Sequence, residues 1–174
     1  MKLNKQQLST IIRYLLSATF VMSSLLKFIS LNHFDLFIYE HNILSLSLSQ
    51  LSSRLLICLE FSIGLLFLLN IYTKYTKIAA ISILSLFTIY LIGLPYWFNI
   101  NISNCHCFGE IFSINRNWSI MKNILLILAT VCIINSYSHK ALKLKTIIFA
   151  SLSIIYLIII FIISPTDTLY NMVY

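Results

Sequence analysis

Residues 78–98 read IAAISILSLFTIYLIGLPYWF, with no charged side chain anywhere in the run. A helix of about 20 such residues crosses a hydrocarbon core of about 30 Å. Pro95, Tyr96 and Trp97 close the run with a helix breaker and two interfacial aromatics, so the chain is expected to leave a bilayer there. The rest of the 174-residue chain has the same character: 59% of it is hydrophobic and 10% charged, and its mean hydropathy is +0.91. A water-soluble core of this size cannot hide that much apolar surface, so the solvent is lipid. Three glycines and two prolines leave no turn chemistry for a many-stranded barrel. The apolar runs are continuous rather than alternating, and the chain therefore reads as all-α, a polytopic membrane helical bundle.

Four more spans flank this one, at about residues 11–31, 55–73, 118–137 and 146–164. The expectation is a single transmembrane domain over residues 1–174, with four core helices and a fifth C-terminal one. Arg13 and Lys27 sit near the two ends of the first span, from which they can snorkel to the interfaces. Glu60 lies inside the second span and needs a partner or a polar cavity. Lys122 enters the fourth span, and Pro165 stops the fifth. A Glu60–Lys122 ion pair beneath the loop at 99–117 is the natural pairing of the two charges, with snorkelling of Lys122 as its alternative. Met1, Lys2 and Lys5 before the first apolar run have the outline of a signal peptide without a small-residue cleavage site, so this segment is expected to stay attached as the first helix. The leucine- and serine-rich stretch from Ile43 to Ser53 reads as an interfacial loop or short helix.

The formal net charge of +7 would suggest nucleic acid in a soluble protein. Here the basic residues stand singly or in small groups between apolar spans, so they set topology, and the expected partner is the lipid bilayer rather than nucleic acid. Lys2, Lys5, Arg13, Lys74, Lys77, Lys140, Lys143 and Lys145 fall on one side with no acidic residue. Lys27, Arg54, Arg116 and Lys122, together with Asp35, Glu40, Glu110 and Asp167, fall on the other. The N-terminus is thus expected in the cytoplasm, with the 99–117 loop and the C-terminus outside, where a disulfide is permitted.

That loop holds the one dense group of reactive side chains: Asn104, Cys105, His106, Cys107, Phe108, Gly109, Glu110. Two cysteines one residue apart close a disulfide only if the backbone turns enough to bring their Cα atoms within about 7 Å. Gly109 and the polar stretch Asn101 to Asn104 favour such a turn. A small, exposed, strained ring of this kind exchanges readily, and a protonated His106 would favour the thiolate that exchange requires. Three readings stay open: redox exchange, an inert bridge pinning the loop, and binding of a soft metal. For a metal, the Cys-His-Cys spacing is too tight for the usual zinc pattern and a further ligand would have to come from His33, His41 or Glu110, so no metal site is assigned. Cys58 and Cys132 fall within spans and read as small apolar filler.

The run Cys105, Cys107, Phe108, Gly109, followed by a span entered through Lys122 and Asn123, resembles the MauE and DoxX-like group of redox-associated membrane proteins. That group carries a Cys-Gly-Cys-Phe-Gly type motif and then a basic residue and Asn on the next span. Glu60 with Gly64, Leu65 and Leu66 is similar to the group's glutamate and its downstream Gly-Leu-Leu, and Arg13 and Lys27 fit the first span. His106 departs from it, standing where the group has glycine. The resemblance covers most of the first 137 residues. It implies a compact helical bundle in the bacterial inner membrane that assists oxidative maturation or disulfide formation in extracytoplasmic proteins, methylamine dehydrogenase in the case that names the group.

On this reading the chain is a membrane thiol-disulfide component or an accessory to one. Cys105 and Cys107 are its redox pair, with His106, Gly109, Glu60 and Lys122 in support, exchanging with an extracytoplasmic partner protein. Electrons would leave through that partner or a quinone, although no cofactor-binding motif marks a place for one. The rival classes are a scaffold that holds a partner or soft metal without turnover, and a transporter subunit, with which an intramembrane Glu60 is compatible.

Overall fold

The computed structural model of the chain describes residues 5–40, 45–97, 104–108, 112–133 and 142–163. In chain order these form α1 (Lys5–Ile29), α2 (Leu31–Glu40), α3 (Leu46–Leu69), α4 (Thr73–Trp97), the strands β1 (Asn104–Phe108) and β2 (Phe112–Asn115), α5 (Arg116–Cys132) and α6 (Leu142–Ile163). Among the described residues, four helical stretches are long and apolar enough to cross a membrane: α1, α3, Thr73–Gly93 of α4 and Lys143–Ile163 of α6. A multi-pass helical membrane bundle is therefore the fold. α5, at 17 residues, rises about 25 Å and packs along α4 and α1.

Large apolar side chains point outward all round the bundle, as lipid requires: Leu86 is 67% exposed and Ile162 72%. The inside is held by small and polar residues. α1 and α3 run antiparallel and closely apposed. Ser17 Oγ donates to the Gly64 carbonyl at 2.8 Å, and Ser24 Oγ donates to the Ile57 carbonyl at 2.9 Å. A Cβ placed on Gly64 would lie 2.7 Å from Val21 Cγ2 and 3.1 Å from the Val21 backbone nitrogen, so glycine is what lets the two backbones approach. Around this seam Leu16, Phe20, Ile63, Phe67, Ala80 and Leu84 make one apolar cluster, while Phe34, Phe37, Ile57, Tyr156 and Ile160 make another toward the opposite end.

The bundle turns sharply between α3 and α4. Asn70 adopts the left-handed conformation (φ 55, ψ 50) at the C-cap, and the Ile71 N–H reaches back to the Leu66 carbonyl, a helix-ending arrangement that asparagine tolerates. Two lysines at this end satisfy helix-terminal carbonyls: Lys145 Nζ donates to Leu69 O at 3.1 Å and Lys77 Nζ to Ile133 O at 2.8 Å. Basic residues that the sequence assigns to topology are thus also caps.

The structure departs from the sequence reading in three places. Leu46–Ser53 is the start of α3 rather than an interfacial segment, because Ser49, Gln50 and Ser53 turn inward and are buried. α2 is a further helix, ten residues long and so too short to span, laid against α3. The 99–117 loop contains a two-stranded antiparallel hairpin.

Candidate functional site

β1 has the sequence NCHCF and β2 FSIN, short runs of aromatic and apolar residues bounded by asparagine that suit a small hairpin. Cα partners are Asn104 with Asn115, Cys105 with Ile114, and Phe108 with Phe112. Between the last two pairs, His106 and Cys107 stand opposite Ser113 alone, the two-against-one count of a β-bulge. Along an extended strand, positions two apart have Cα atoms about 6.6 Å apart, at the upper edge of the disulfide range. A bulge at that point kinks the strand locally. The extended strand is the frame in which Cys105, His106 and Cys107 sit. Gly109 and Glu110 lie outside the described residues. β1 packs on α1 and on α5, and β2 on α5, which seats the hairpin on the bundle.

Inside the bundle, Glu60 of α3 finds a partner in Lys27 of α1. The Lys27 ammonium and the Glu60 carboxylate meet at 2.5 Å, and both side chains are almost fully enclosed. Ser23 Oγ, one turn earlier on α1, donates to the other carboxylate oxygen at 3.1 Å. The sequence reading, which let Lys27 snorkel from the end of its span, is corrected here. The antiparallel α1–α3 seam brings Lys27 and Glu60 face to face, and a buried carboxylate in lipid is tolerable only when paired and hydrogen-bonded. The Lys27 ammonium also lies 5.4 Å from the ring centroids of both Phe34 and Phe87, close enough for cation–π attraction.

Lys122 and Asn123, six and seven residues into α5, face the same place. Together with Thr19, Ser23, Lys27 and Glu60 they line a cavity of about 30 Å³, room for a water molecule with several polar partners. Asn123 Nδ2 donates to Thr88 Oγ1 at 3.2 Å and so ties α5 to α4. The result is a carboxylate between two ammonium groups in a water-sized hollow, within helices that carry the hairpin. Such a group can hold a proton or a water inside the bundle.

A second buried pair lies toward α2. Arg54 Nη1 contacts Asp35 Oδ2 at 3.2 Å, and Ser53 Oγ donates to the other oxygen of the Asp35 carboxylate. Burial pushes the Asp35 carboxyl up to about 6, against the Ser53 hydroxyl and the Arg54 guanidinium, which hold it down. The sequence reading placed Asp35 and Arg54 in the outer loops. Nothing in a ten-residue helix of mixed polarity announces that it will fold back over an arginine. Cys58 is half-buried and Cys132 exposed. Cys58 packs with Phe61 against the Tyr156 cluster, while Cys132 is the last residue of α5.

The family model for methylamine utilisation protein MauE matches residues 5–136, from the first turn of α1 to just past α5. It takes in the hairpin and all the charged residues of the cavity, and leaves α6 outside. No curated protein and no solved structure matches the chain. With about three quarters of its length inside that match, this multi-pass helical membrane protein belongs to the MauE family.

Proposed function

We propose that this MauE-family protein is a membrane accessory factor whose Cys105 and Cys107 cycle between dithiol and disulfide, assisting the oxidative maturation of extracytoplasmic proteins. The observation that carries the reading is the hairpin: both cysteines occupy one five-residue strand, and the bulge falls on His106 and Cys107. Bulges recur beside active sites, where they re-aim side chains and end regular pairing. In the oxidising direction, a partner thiolate attacks one sulfur and forms a mixed disulfide. A second partner thiol then releases this chain as its dithiol, so two electrons and two protons pass to Cys105 and Cys107. The strands pack on α1 and α5, the helices that carry Lys27 and Lys122, and positive charge near a thiol favours thiolate over thiol. Orientation follows the loop charges, with the N-terminus in the cytoplasm and the hairpin outside in a bacterial inner membrane.

Quantitative alkylation in native membranes with a membrane-impermeant thiol reagent, before and after mild dithiothreitol, tests the proposal. The expected result is a pair that is blocked at first and labels from the outer side after reduction. Two thiols that are reduced from the start and label only after a chelator is added would replace redox exchange with soft-metal binding.

A further inference from the structure

Beside the charged cavity, a larger hollow of about 260 Å³ opens between α2, α3 and α4. α2 takes its support from α3. It lines the hollow with Phe34 and Phe37, while α3 contributes Leu56 and α4 contributes Phe87 and Tyr90. The α4 part of the wall falls about 15–25 Å along that helix, inside the stretch long and apolar enough to cross a membrane. Leu86, which also lines the hollow, is 67% exposed, so the mouth lies on the lipid-facing surface of the bundle. Among the described residues, only Ser52 and Tyr90 bring hydroxyls to this lining.

The occupant follows from what such a wall accepts. Protein interiors leave few voids larger than a water molecule, because lining atoms without neighbours forfeit their dispersion contacts. Water does not fill this one: each molecule needs several polar partners, and apolar cavities stay dry. An ion or a polar headgroup would give up its hydration to phenylalanine and leucine, with nothing in return. A further helix, about 10 Å across, is too wide for the space. What remains is the solvent at the mouth, a flexible hydrocarbon chain that can bend in beside Leu86. Such a chain also has something to hold in place. The Lys27 ammonium lies 5.4 Å from the ring centroids of Phe34 and Phe87, so a chain packed against these two rings steadies the surroundings of the Lys27–Glu60 pair.

We propose that this hollow is a binding site for one acyl chain of a membrane phospholipid, which enters from the bilayer beside Leu86 and stays as a resident of the fold, bracing α2 against α4. The site stands independently of the thiol-disulfide reading. A chain enclosed in this way leaves slowly, whereas the chains that cover the open faces of α6 exchange freely with bulk lipid.

That difference in exchange is what the experiment reads. The full chain is reconstituted in nanodiscs of phosphatidylcholine carrying a mid-chain diazirine, extracted into dodecyl maltoside, washed, and only then photolysed. Chains that stay through washing are the ones left to react, and peptide mass spectrometry places and counts the adducts. One adduct per protein, on the α2, α3 and α4 residues that line the hollow, is the expected result. Leu86→Trp plugs the exposed mouth without touching the core, and Leu56→Phe takes up the space from within. Each is expected to lower the retained adduct about tenfold or more, while Leu157→Trp, at a 40% exposed position of α6, leaves it unchanged. Adducts scattered over the lipid-facing surfaces of α5 and α6, or a yield indifferent to both plugs, would overturn the site. A washed protein that keeps no lipid but forms a dimer dispersed by Leu86→Trp would give the hollow to a second copy of the chain and overturn it equally.

Discussion

Lys27 and Glu60 illustrate how a lipid environment turns a pair of charges into a constraint. Each is buried and they are joined at 2.5 Å, so removing one strands the other. Lys27→Met alone is expected to cost about 3–5 kcal/mol, because it leaves an uncompensated charge. Lys27→Met with Glu60→Leu should cost clearly less than the two single changes summed. Thermal unfolding of the four proteins in one detergent measures the coupling, and additive effects would show that the pair contributes nothing of its own. Asp35 gives a pH signature of definite sign. Its carboxyl titrates near 6 in the folded chain against an ordinary value of 3.8, so the native state holds a proton that the unfolded chain has given up. The associated stability is full below 3.8 and is lost as pH rises through 6. Relative to Asp35→Asn, the wild-type melting temperature should therefore rise between pH 7.5 and pH 5. A flat difference would mean that the Arg54 guanidinium governs the site more strongly than burial does.

Helix ends carry the next level of specificity. The sharp turn after α3 works because Asn70 tolerates the left-handed region and because Lys145, from α6, donates to the Leu69 carbonyl. A helix-terminal carbonyl without a donor is costly near lipid. Lys145→Met is expected to lower stability by about 1 kcal/mol, with Lys145→Arg restoring most of it. Equal loss in both variants would point to topology rather than capping. The hairpin is an element of another kind. Its two strands are too short to stand alone in water, and contacts with α1 and α5 hold it.

Across the whole molecule, the antiparallel alternation of α1, α3, α4, α5 and α6 puts the hairpin at one end and the Lys77 and Lys145 caps at the other. On the proposed orientation, which puts the basic end in the cytoplasm, a reporter fused after residue 141 should read as cytoplasmic and one fused after residue 174 as extracytoplasmic. Fluorescent-protein and alkaline-phosphatase fusions measure this, and matching signals at both points would mean that α6 does not cross. α6 lies outside the MauE match yet is anchored from within the bundle, since Tyr156 stacks on Phe61 at 4.0 Å and shares a hydrogen bond with Ser24 at 2.8 Å.

What residues 78–98 and their neighbours determine unaided is the solvent. Continuous apolar runs with almost no glycine or proline can satisfy their backbones in lipid only as helices, and the Cys105–His106–Cys107 run between two of them is legible as the reactive segment. Which charges meet is another matter. Glu60 announces its need for a partner, but the sequence points to Lys122 and leaves Lys27, at 33 residues' remove, to snorkel. The choice is made by the rotation and close approach of α1 on α3, which the contacts at Gly64 fix. Likewise α2, the Asp35–Arg54 pair and the aromatic pocket exist only once a short helix folds back on α3. Packing of that kind depends on shape between distant segments, and no local period in the chain records it.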